Sequence, residues 1–187
     1  MDKSKFSRLF GLITIVIVVF CANAYATDPA YIQLSSNTSQ IVSKAKTTQI
    51  VNWDSQDSSP TAGVIWSKDS PGKIIVEETG VYFMMASGQG GIPESTKNPK
   101  GGPKGGDVSI WFELNGKPVA ASANSQFIFV VAKTKGLATQ MILSLKKGDT
   151  LAVGYTASEE SLGLIAFPQA SYRPLTPSIS LSMFKID

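Results

Sequence analysis

The sequence has no histidine and a single cysteine, Cys21, in 187 residues. The missing histidine removes the Ser-His and Cys-His pairs of nucleophilic hydrolases, the commonest zinc ligand and the usual general base near neutral pH. A lone cysteine cannot close an intramolecular disulfide, so packing must hold the fold. Charge is also sparse and nearly balanced, with 17 basic against 14 acidic residues. That balance lacks the basic excess that marks a nucleic-acid partner. Sustained helical periodicity is absent, and so is any fixed-period internal repeat.

What is present begins at the N-terminus. "MDKSKFSRLFGLITIVIVVFCANAYA" places Lys3, Lys5 and Arg8 ahead of an apolar run from Leu9 to Ala22, followed by small-x-small sites ending at Ala24 and Ala26. This is the pattern of a secretory signal peptide over residues 1–26. The run is shorter than the roughly 18 to 20 apolar residues that span a bilayer, which sets cleavage above an uncleaved anchor. Cys21 follows Phe20, where a lipobox needs a small residue, so it is expected to leave with the peptide. Cleavage after Ala26 leaves 161 residues with 14 basic and 13 acidic side chains, and no cysteine. That length suits one domain, 27–187. The expected destination is secreted or cell-surface, or the periplasm in a Gram-negative host. Asn37-Thr38-Ser39 is a glycosylation sequon that matters only in a eukaryotic one.

Short runs rich in Val, Ile, Phe, Tyr and Thr then recur between Gly, Pro, Asn and Asp punctuation, as in "YIQLS", "KIIVE", "GVYFMMAS", "DVSIWFEL", "ATQMILSL", "DTLAVGYT" and "SISLSMFKI". The pattern predicts an all-β, two-sheet antiparallel sandwich of the jelly-roll kind. Asn115-Gly116 predicts a tight hairpin with positive φ, and Lys147-Gly148-Asp149 a second turn.

Ile110, Phe112 and Leu114 alternate with Ser109 and Glu113, as a strand with one wet face should. Other strands do not alternate. In "GVYFMMA" Tyr82, Met84 and Ala86 lie on one face and Val81, Phe83 and Met85 on the other, and "FIFVVA" and "LGLIAF" behave alike. A strand with two apolar faces needs two covers, because each large side chain left wet forfeits about 1.5 to 3 kcal/mol. The second cover is expected to be another copy of the chain, with a folded-over loop as the alternative. Tyr82, Met84, Phe129 and Phe167 are the candidate interface residues on this reading.

The stretch "SSNTSQIVSKAKTTQIVNWDSQDSSPTAGVIWSKDSPGKIIVEETGVYFMMAS" resembles the opening half of the tumour necrosis factor and complement C1q globular-head superfamily, particularly its bacterial and phage members. The matching features are a Gln before paired aliphatics, Val51-Asn52-Trp53-Asp54, Gly63-x-x-Trp66 and Gly80-x-Tyr82. "VSIWFELNGKPVA" resembles the strand-Asn-Gly-strand hairpin of that family, "LSLKKGDTLAVGY" its Leu-x-x-Gly-Asp turn, and "SISLSMFKI" its closing strand. The resemblance implies a jelly roll of about ten strands assembling as a homotrimer, its inner sheet facing the threefold axis. It also implies binding rather than catalysis. Some members carry calcium, but the resemblance assigns no ligand residues in this chain.

Strings that suggest chemistry lie in the wrong settings. Ser70-Pro71-Gly72-Lys73 matches Ser-x-x-Lys but falls in a Pro-Gly turn, not on a helix. Glu77-Glu78 and Glu159-Glu160 are neighbours that an extended backbone points to opposite sides, unlike the converging carboxylates of a glycosidase. The glycines of 88–106 are not followed by Lys-Ser or Lys-Thr and so form no phosphate loop. They read as a Gly/Lys/Pro-rich loop carrying Lys97, Lys100 and Lys104, either a cationic site for anionic glycans or lipids or simply a solvated loop. Trp111 sits on the polar Ser109 and Glu113 face, where an indole stacks on a sugar, anchors a protein or packs under a loop. The expectation is a secreted, non-catalytic homotrimeric module for a surface protein or glycan, with catalytic, cofactor and metal residues all blank. The competing reading is a monomeric carbohydrate-binding jelly roll using Trp111, Trp66 or Tyr155.

Overall fold

A computed structural model describes residues 29–57, 62–93, 105–129 and 134–187. Within them the chain forms fourteen strands and no helix: β1 Tyr31–Ser36, β2 Gln40–Ile41, β3 Gln49–Ile50, β4 Ser55–Gln56, β5 Val64–Trp66, β6 Ile74–Val76 and β7 Gly80–Gly91, followed by β8 Gly105–Leu114, β9 Lys117–Pro118, β10 Asn124–Phe129, β11 Thr134–Leu145, β12 Thr150–Ala157, β13 Gly163–Leu164 and β14 Ile179–Lys185. The excess over ten comes from two-residue pieces such as β2, β3 and β9, where a long excursion touches a sheet only briefly.

All pairing is antiparallel, in two seven-stranded sheets. The first runs β2-β13-β7-β14-β1-β4, with β11 pairing along the other edge of β7, and the second runs β10-β8-β12-β6-β5, with β3 beside β12 and β9 beside β8. Alternation explains how they stack. Ile32 and Leu34 of β1, Tyr82, Met84 and Ala86 of β7, and Leu181 and Met183 of β14 turn inward from the first sheet. Val108, Ile110 and Phe112 of β8 and Leu151, Val153 and Tyr155 of β12 meet them from the second.

The hairpin at Asn115-Gly116 forms with φ of 53° and 75°, both left-handed, and joins β8 to β9. Gly148 takes φ 90° at the second turn. The Gly-rich segment is not all loop: Gly88 to Gly91 end β7, and Gly105 and Gly106 open β8. Those glycines serve close packing, since a Cβ on Gly88 would lie 2.8 Å from the Ser178 carbonyl oxygen.

Candidate functional site

The register of the first sheet assembles one surface feature from four strands. Tyr31 of β1 lies opposite Phe184 of β14, Phe184 opposite Phe83 of β7, and Phe83 opposite Ile142 of β11. All four side chains point away from the sandwich core, so they form an apolar row across the outer face of the sheet. Ile142 is 60 % exposed, and the Phe83 and Phe184 rings pack tilted with centroids 5.2 Å apart. Met85 and Ile186, both exposed, widen the row. The next row, Gln33, Ser182, Met85 and Gln140, is mostly polar.

None of the four residues expected from sequence to meet another copy lies in this row. Tyr82 and Met84, at 0 % and 1 % exposure, belong to the core of the single chain, and Tyr82 donates its hydroxyl hydrogen to the Glu78 carbonyl at 2.7 Å. Burial, then the nearby Glu78 and Asp187 charges, raises the pKa of that phenol. The doubly apolar strand is real, but its outward half is Val81, Phe83 and Met85. Phe129 is 50 % exposed on β10 of the second sheet, edge-on to Phe127 with centroids 5.0 Å apart and beneath Lys135 Nζ at 5.1 Å. Phe167 is half-buried, with the Arg173 guanidinium 4.7 Å from its ring centroid. Neither lies in the four-residue row.

On the second sheet, Trp111 is half-buried on the outward face of β8, directly opposite Gly154 of β12. A Cβ on Gly154 would fall 2.6 Å from Trp111 Cε2 and Nε1, so the indole lies against bare backbone. Its N–H donates to Glu113 Oε1 at 3.1 Å. Glu113 is only 8 % exposed, and no described basic residue forms an ion pair with it. It helps line a cleft of about 370 Å³ with Asn52, Ser70, Lys73 and Thr150. A smaller cleft of about 280 Å³ is lined by Lys46, Asp107, Ser109 and Thr156. Of the other sugar-stacking candidates, Tyr155 is a core residue at 3 % exposure, and burial raises its pKa. Trp66 is half-buried and donates its N–H to the Pro71 carbonyl at 3.1 Å.

Lys97, Lys100 and Lys104 lie outside the described residues. Among the described residues, no group of three or more His, Cys, Asp or Glu comes together as metal ligands would. No helix there is long and apolar enough to cross a membrane.

No protein-family model matches the chain, and neither does any curated protein. Solved structures do. Murine APRIL at pH 8.0 superposes with a TM-score of 0.54 at 12% identity, covering 85% of this chain and 100% of that one. Its structure at pH 8.5 gives 0.51 at 12% identity, with coverage of 85% and 100%. The globular domain of zebrafish complement 1qA protein gives 0.51 at 13% identity, with coverage of 84% and 98%. At identities this low the superpositions show the fold alone: the chain has a jelly-roll sandwich like those of APRIL and the complement 1qA globular domain.

Proposed function

We propose that this protein is a secreted, non-catalytic binding module that works as a homotrimer, with the first sheet turned toward the threefold axis. The observation that carries the reading is the row Tyr31, Phe184, Phe83 and Ile142 on the outward face of that sheet. Exposed apolar side chains scattered singly need no partner, whereas a contiguous row across four strands does. A second and third copy of the chain satisfy it symmetrically, in the arrangement that the sequence resemblance implies. Secretion rests on the pattern of residues 1–26. In such a trimer the second sheet faces outward and carries recognition.

The test is the solution mass of residues 27–187, measured by sedimentation or light scattering across micromolar concentrations. Three chain masses are expected. A monomer that persists over that range overturns the trimer and favours the single-chain carbohydrate-binding reading.

A further inference from the structure

The two clefts on the second sheet lie in one line. Ser109, Trp111 and Glu113 alternate along the outward face of β8, and their partners on β12 are Thr156, Gly154 and Ala152. The smaller cleft holds Ser109 and Thr156, the larger holds Glu113 and Ala152, and the indole on Gly154 separates them. At the rise of a strand, Ser109 to Glu113 spans about 13 Å. The outer sheet therefore presents a groove with a polar cleft at each end and a flat apolar plate between.

The chemistry of the groove narrows its occupant. Each cleft is lined by one base and one acid, Lys73 and Glu113 in the larger and Lys46 and Asp107 in the smaller, so neither selects for net charge. Hydroxyls and an amide fill much of the remaining polar lining, at Ser70, Thr150, Asn52, Ser109 and Thr156. β8 is already paired on both sides, with β10 and β12, so an extended peptide finds no free edge to augment. A ligand must be read by side chains alone. It must offer a flat apolar face to Trp111 and hydrogen-bonding groups around its rim, and repeat both along a line. Glu113, buried with one oxygen held by the indole N–H, is fixed in place as an acceptor for hydroxyls.

The geometry points to a binding site for a neutral linear oligosaccharide, one sugar ring stacked on Trp111 and its neighbours in the two clefts. This inference rests on the binding-module reading but not on the trimer, because the groove lies on the sheet opposite the apolar row.

The experiment titrates the purified protein by calorimetry with neutral linear β-glucan, chitin, xylan and mannan fragments of increasing length, and with sulfated glycans, at low and high salt. The variants are Trp111→Ala, Trp111→Phe, Glu113→Gln and a triple Lys97, Lys100 and Lys104 to Ser protein. Circular dichroism and solution mass are recorded for each. At least one neutral series should bind, tighter with length and insensitive to salt. Trp111→Ala should weaken binding by about tenfold or more, as loss of a stacked ring predicts, and Glu113→Gln should weaken it too. Trp111→Phe should keep part of the affinity, and the triple variant should match the parent. Folded parent that binds no neutral series overturns the site. So does equal affinity in Trp111→Ala and Glu113→Gln, or binding confined to sulfated glycans that salt suppresses and the triple variant loses. A monomer that binds with the expected variant pattern keeps this site and sinks the trimer.

Discussion

Phe83 and Phe184 face each other across the β7–β14 pair with ring centroids 5.2 Å apart, on the side of the first sheet that faces away from the sandwich core. If other copies cover them, a charge in the same row should be tolerated by the fold and not by the assembly. Ile142→Lys is the cleanest probe because Ile142 is the most exposed of the four. The variant should keep the β-rich far-ultraviolet spectrum and sediment as a monomer. An unchanged trimer would remove this face from the interface.

Gly154→Ala tests the seat of the indole. The added methyl would lie 2.6 Å from the indole and 2.9 Å from Glu113 Oε1, so both partners of the Trp111–Glu113 hydrogen bond must shift. Overpacking of this kind costs about 1 to 3 kcal/mol. Denaturant unfolding should show that loss together with a shifted tryptophan emission, and a variant matching the parent in both would mean that the ring is not held there.

Gly116 isolates a backbone effect, since it has φ 75° and nothing within 4 Å of a Cβ placed on it. Substitution meets no clash and strains only the left-handed turn. Gly116→Val should lower stability by about 1 kcal/mol or more, and Gly116→Asn by clearly less, because asparagine tolerates that region. Equal melting midpoints for both variants would contradict the turn.

Asp149 supplies a pH dependence. Its pKa is lowered, first by the hydrogen bond from Asn115 Nδ2 at 2.9 Å and then by the Lys146 backbone N–H at 2.8 Å. A carboxylate whose folded pKa is depressed adds stability above its unfolded value of about 3.9, and that stability is lost as pH falls through the folded value. The parent should therefore be favoured over Asp149→Asn near neutrality, and the gap should close below about pH 4. Urea midpoints for the two proteins across the acid range decide it, and a gap that does not change with pH would assign the effect to shape rather than charge.

Ile110, Phe112 and Leu114 alternate so plainly that the inward face of β8 was legible from sequence, and Asn115-Gly116 announced its own turn. β7 was legible as a strand but not as an orientation. Tyr82, Met84 and Ala86 are no more apolar than Val81, Phe83 and Met85, so local pattern cannot say which set the second sheet will cover. Only the pairing with β14 and β11 decides that, and it joins segments far apart in the chain. Trp111 stood out as an indole on a polar face, whereas its seat did not, because Gly154 reaches it only through the β8–β12 register. The larger cleft was hidden for the same reason: Ile50 and Asn52 come from one excursion, Ser70 to Lys73 from another, and Glu113 from β8.

β14 is the last strand in chain order, yet it lies between β7 and β1 in the middle of its sheet. During synthesis β1 and β7 are complete long before the strand that joins them exists, so the first sheet stays split and its core face open until residues 179–185 emerge. Folding by gradual accretion from the N-terminus is closed to this topology, and the domain must form late and largely at once. If the chain is exported as proposed, that delay keeps it unfolded and threadable for as long as its final strand is still being made.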